Sequence, residues 1–228
     1  MLGHERSNER RIPNLLLPLP SNDYRPHDWY QDYRGLRHLL NPTSFAAQSS
    51  KSSKQQQSTG GSFPSRDECS TLILGCGNSS FGEDMLRDGW TGKIVNVDFS
   101  SVVIEQMESK YDDAFYEGLW PGKDSATVNK MEYVCADMTQ ELPFSDESFD
   151  LIVCKGSFDA ILCSAGSVAN IRFLTEECAR LLTARGVFFL VTHGNPDSRI
   201  VFLEYQNNIH YYWEGVNIQS VPRPLTQK

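Results

Sequence analysis

The stretch "LILGCGNSSFGEDM", Leu72 to Met85, decides the fold. An apolar run stops at Gly75-Cys76-Gly77, short polar residues follow, and a helix-like segment begins. A buried strand that opens into such a turn either reverses tightly for its own sake or lets a ligand approach the backbone. A Gly-x-Gly turn alone is weak evidence, because the full dinucleotide fingerprint needs a third small residue three positions on, where this chain has Ser80.

Downstream, short apolar strands alternate with amphipathic segments. "STLILG" precedes "GEDMLRDG", "KIVNVD" precedes "SVVIEQMESKY", and "MEYVCAD" stands by itself. "FDLIVCK" then precedes "SVANIRFLTEECARLL", and "GVFFLVTH" follows. That order predicts an α/β fold of the Rossmann type, a mostly parallel twisted sheet with helices on both faces. In the helix before "ARGVFFLV", Ile171, Leu174, Cys178, Leu181 and Leu182 share one face, and Gly186 sits where a helix C-terminus is expected.

Upstream, residues 1–26 read as a polar, Pro-rich disordered tail. "HDWYQDYRGLRHLLN", 27–41, spaces Trp29, Tyr33, Leu36, Leu39 and Leu40 as a helix, with Asp28 as its N-cap. Residues 42–66 are rich in Ser, Gln and Gly and read as a flexible linker or insertion. The remaining 67–228 form the main domain.

The chain has 228 residues and a formal net charge of -8, which argues against general affinity for nucleic acid or acidic membranes. "NLLLPLP" is too short and Pro-broken for a membrane span or signal core. The six cysteines form no C-x-x-C pair and mostly occupy apolar runs, as buried reduced thiols do. His193 and His210 lack metal-ligand spacing, so no metal site is assigned. Arg6, Arg10 and Arg11 faintly resemble a transit peptide, but Glu5 and Glu9 oppose that, and a cytoplasmic location is expected.

Ligands of such sheets bind beyond the carboxyl ends of the strands. The first strand ends in Gly75, Cys76, Gly77 and Asn78; the second in Asp98 and Phe99, about 20 residues beyond the glycines as in nucleotide sites. An acid there can bind both hydroxyls of a ribose, or cap the helix that follows. At the third strand end stand Asp137 and Met138, an acid for an adenine amino group, with Met138 or Leu142 as the apolar face for its ring. Up to this point S-adenosylmethionine and NAD both remain possible.

The run from Asp137 through "ELPF" to "SFDLIV" resembles the segment between motifs of class I S-adenosylmethionine-dependent methyltransferases. With "LGCGNSS", "NVDFSSVVIEQM", "HDWYQDYRGLRHLL" and "CKGSFDAIL", it is similar to the branch related to the lysine methyltransferases of translation elongation factor 1-alpha, over roughly 27–41 and 69–222. The resemblance implies S-adenosyl-L-methionine as cofactor, held by the Gly75–Gly77 loop with Asn78, by Asp98 and Phe99, Asp137 and Met138, Lys155, and Trp29 from the N-terminal segment. It implies an activity-linked motif from Cys154 to Asp159, with Lys155 and Asp159 as catalytic candidates. It further implies a protein substrate, elongation factor 1-alpha among the candidates. "VTHGNPDSRI" is similar to the branch's Gly-x-Pro-x-x-Arg loop and could line an acceptor pocket.

Two departures stand out. The branch carries a Tyr-Trp-Asp-x-x-Tyr segment, of which only Tyr24, His27, Trp29 and Tyr30 offer a remnant, and no final strand is legible after "IHYYWEGVNIQSVP". A methyltransferase-fold scaffold without activity therefore stays beside the enzyme reading, with an NAD-dependent oxidoreductase behind both.

Overall fold

The structure is a computed structural model that describes residues 27–42, 45, 63–123, 128–203, 213 and 215–222. The expected tail at 1–26, most of the expected linker at 42–66, and Tyr24 and His210 lie outside the described residues.

Five strands form one sheet: β1 (Thr71–Leu74), β2 (Ile94–Asp98), β3 (Glu132–Cys135), β4 (Phe149–Lys155) and β5 (Leu182–Val191). Their spatial order is β3-β2-β1-β4-β5, and every pairing is parallel. The order reverses between β1 and β4, so the crevice for a ligand opens at the carboxyl ends of those two strands. Among the described residues, these helices accompany the sheet: α1 (Tyr33–Leu36), α2 (Phe81–Arg87), α3 (Ser101–Lys110), α4 (Asp113–Leu119), α5 (Ser157–Leu162), α6 (Ser167–Leu181) and α7 (Pro196–Leu203).

The strands read as continuous apolar runs because both faces are covered. On one face Ile73, Leu151 and Val153 pack with Tyr33, Leu36, Phe81, Met85, Ile104 and Met107. On the other, Leu72, Leu74, Ile152 and Cys154 meet Phe158 of α5 and Ile171, Leu174, Cys178 and Leu181 of α6. Asn96 is a buried polar residue inside β2, and its amide donates to the Glu132 carbonyl at 3.3 Å. Four cysteines are buried, while Cys135 and Cys163 are exposed; all six are free thiols.

Two expectations need correction. The 27–41 segment is not one helix: α1 spans four residues and is capped by Asp32, whose carboxylate accepts the Gly35 N–H. Tyr30 has a φ of 66°, which no helix tolerates, and Asp28 is engaged elsewhere. Gly186 does not end α6, because the helix stops at Leu181 and Gly186 lies within β5. There the pairing with β4 shifts register, Leu182 opposing Phe149 and Val187 opposing Leu151. A Cβ on Gly186 would lie 2.6 Å from Leu182 Cδ2, so the bulged strand needs the glycine. Within the 42–66 stretch, Phe45 and Phe63 are both buried with rings 5.0 Å apart. The chain is anchored at both ends of that stretch.

Candidate cofactor and acceptor site

The β1 turn is built by positive backbone angles, φ 64° at Gly75 and 52° at Gly77. The two glycines are needed for different reasons. A Cβ on Gly75 would collide with the Ser157 side chain and come within 3.1 Å of Met138 Cε, so Gly75 lets the start of α5 and the segment after β3 close under the loop. Nothing lies within 4 Å of a Cβ on Gly77, which leaves open space beside exposed backbone. Cys76 is buried between them, and burial, with Asp98 nearby, pushes its thiol up to about 12. It stays protonated and structural.

Asp98 ends β2 with its carboxylate buried. One oxygen accepts the Gly77 N–H at 2.9 Å and the other the Ser100 N–H at 3.0 Å. A carboxylate has about four acceptor positions, so two remain for ribose hydroxyls. Next to it Phe99 presents a ring that is 75% exposed. On β3, Cys135 pairs with Asp98 in register, and the Ala136 N–H donates to the Asp98 carbonyl. Asp137 is exposed and accepts the Thr139 N–H and hydroxyl, whereas Met138 is buried beneath Gly75. The open side of Gly77, the braced acid and the exposed Phe99 ring fit a nucleoside with an amino-acid arm laid along the loop.

The N-terminal segment crosses this edge. The His27 N–H donates to Asn78 Oδ1 at 3.3 Å. Asp28 accepts the Ser79 hydroxyl and, at 3.0 Å, the Lys155 ammonium through the same Oδ1. Lys155 also donates to the Trp29 carbonyl at 3.2 Å. A Cβ on Gly156 would stand 3.2 Å from Trp29 Cβ, so residues 27–30 lie as a strap directly on the turn after β4. Trp29 itself is 61% exposed, with the His27 ring 5.1 Å away edge-on.

Asp159 on α5 is a hub. It accepts the Thr192 hydroxyl at 2.6 Å, the His193 N–H at 2.9 Å and Arg199 at 2.9 and 3.1 Å. Burial raises its pKa, but these bonds and that from Tyr30 outweigh it and hold the carboxyl below its ordinary range. The Tyr30 hydroxyl is pushed up to about 12, by burial first and then by Asp159. The Tyr30 ring also faces His193 at 5.7 Å. Arg199 folds over Gly194, where any Cβ would strike its guanidinium. Asp159 thereby ties the strap, α5, the loop after β5 and α7 together.

The structure thus brings the predicted Gly75–Asn78, Asp98, Phe99, Met138, Lys155 and Trp29 to one edge of the sheet, with Asp137 at the exposed end of β3. Sequence reading missed Asp28, Ser79, Ser157 and the pairing of Asp159 with Arg199. Only Arg199 carried a local signal, through its place in the Gly-x-Pro-x-x-Arg loop.

A glycine turn after β1, an acid ending β2 and a parallel sheet reversing between β1 and β4 define a nucleotide-cofactor protein of the doubly wound class. A family profile described as "Methyltransferase domain" matches residues 72–190, and the chain belongs to that family. S-adenosylmethionine is therefore its cofactor, in place of a nicotinamide. EEF1A lysine methyltransferase 4 of Mus musculus is 26% identical over 186 residues, covering 78% of this chain and 58% of the relative. The eEF1A lysine and N-terminal methyltransferase of Mus musculus is 30% identical over 123 residues, covering 53% of this chain and 16% of the relative. Among solved structures, a SAM-dependent methyltransferase from Methanosarcina mazei aligns at 21% identity and TM-score 0.44, covering 61% of this chain and 59% of that one. The chain spans less than two thirds of the first relative's length.

Proposed function

We propose that this protein transfers a methyl group from S-adenosylmethionine to an amine nitrogen of a protein, with a lysine of elongation factor 1-alpha as the first candidate. The carrying observation is the strap-covered edge at Lys155–Asp159 beside the glycine turn and Asp98, in a chain whose relatives include eEF1A lysine methyltransferases.

The bound cofactor would supply an activated methyl on a sulfonium, so the protein's part is alignment and exclusion of water. Asp98 would hold the ribose and Phe99 flank the base. Gly77 would admit the amino-acid arm, and Lys155 with Trp29 would close over it. Asp159 serves in this reading as a positioning residue. Its carboxylate is already committed to a guanidinium, a hydroxyl and a backbone N–H, and its lowered pKa makes it a poor proton acceptor. The acceptor ammonium would lose its proton to water before transfer.

The test is incubation of the purified protein with methyl-labelled S-adenosylmethionine and unmodified elongation factor 1-alpha, followed by mass mapping. Label on a lysine side chain is the expected result. Cofactor binding with no label on this or any extract protein would favour the scaffold reading.

A further inference from the structure

Lys155 and Asp28 form an ion pair of 3.0 Å with side chains only 7% and 16% exposed, against the glycine loop. Breaking such a pair by removing one partner leaves a charge stranded away from water, which is strongly unfavourable. The partners come from different parts of the chain, Asp28 from the strap and Lys155 from the end of β4. Both donors to Asp28 use Oδ1, and among the described residues Oδ2 has no hydrogen-bond partner. Burial pushes the Asp84 carboxyl up, the Ser80 hydroxyl and Arg34 oppose that, and Glu83 and Asp28 add to it, so Asp28 and Asp84 feel one another.

A zwitterion is the ligand that can enter a closed ion pair and leave no charge unpaired. Its ammonium takes the carboxylate, its carboxylate takes the lysine, and one buried pair becomes two. We propose that Asp28 is a specificity residue for the amino-acid end of the cofactor, receiving its α-ammonium while Lys155 receives its α-carboxylate. The zwitterion then links the strap to β4 where the direct ion pair did before. This rests on the cofactor assignment and adds to it a residue outside the glycine loop. It also explains why Ser79 reaches Asp28: the hydroxyl keeps the carboxylate oriented over the loop when Lys155 turns to its new partner.

The test is calorimetric binding of three thioethers to the full chain and to Asp28→Asn and Lys155→Met. S-adenosylhomocysteine carries both charges, its decarboxylated analogue keeps only the ammonium, and 5′-methylthioadenosine has neither. Asp28→Asn should weaken the first two about tenfold and leave methylthioadenosine unchanged. Lys155→Met should weaken S-adenosylhomocysteine and not the decarboxylated analogue. Equal losses for all three ligands, or no loss with Asp28→Asn, would overturn the assignment while leaving the cofactor reading intact. If neither variant folds, the wild-type ranking decides. S-adenosylhomocysteine must then bind best and the amine, which takes Asp28 and strands Lys155, clearly more weakly, and equal affinities of these two overturn the proposal. A wild-type protein that binds none of the three overturns the cofactor reading itself.

Discussion

At Asp98 each carboxylate oxygen already accepts one backbone N–H, from Gly77 and from Ser100. Replacing it removes the ribose partner and the brace of the glycine loop together. Asp98→Ala is predicted to lower S-adenosylhomocysteine affinity more than about 100-fold, roughly 2.7 kcal/mol; tight binding by titration calorimetry in that variant would contradict the ribose role. The two glycines separate cleanly. Gly75→Ala meets Ser157 as well as a positive φ, so urea unfolding should show a loss clearly above ~1 kcal/mol. Gly77→Ala meets only its own φ and should cost about 1 kcal/mol of stability, yet fill the space the cofactor needs. Equal effects on stability and binding in the two variants would defeat that division. Which glycine serves packing and which serves the ligand was not legible in Gly-x-Gly, because Ser157 arrives from 82 residues away.

Among the elements, α1 and β5 depart furthest from the sequence pattern, for the same reason. Helical spacing in 27–41 reported correctly that Tyr33, Leu36 and Leu40 are buried. It could not report that Asp28 spends its carboxylate on Lys155 and Ser79, 127 and 51 residues distant. Likewise Gly186 follows a helix as a C-cap would, and only the register shift against β4 reveals a bulge. The elements meeting at Asp159 supply a pH prediction. Its folded pKa is depressed, so its contribution is fully present above the unfolded value of about 3.9. That contribution is lost as pH falls through the lower folded value. Asp159→Asn should destabilise the chain by about 2 kcal/mol near neutral pH, and the difference from wild type should shrink on acidification through that window. A difference that persists at low pH would show that the carboxylate charge is not what ties strap, α5 and α7 together. Under the positioning role, turnover in this variant rises with pH as in wild type, without a lost inflection in the carboxylate range.

For the molecule as a whole, alternation of apolar strands with amphipathic helices was enough to foresee a parallel sheet covered on both faces, since that pattern has few other solutions. The site was legible wherever its residues end strands, as at Asp98 and Lys155, and illegible where the chain crosses over them. The central claim is that this sheet edge is an S-adenosylmethionine site, and thermal unfolding with S-adenosylhomocysteine tests it most directly. At 100 times its dissociation constant a specific ligand adds about 2.7 kcal/mol, which for a domain of this size raises Tm by roughly 5–10 °C. The account predicts that shift with S-adenosylhomocysteine and none with NADH. A cooperative unfolding transition that neither compound moves, or that NADH alone moves, would contradict it.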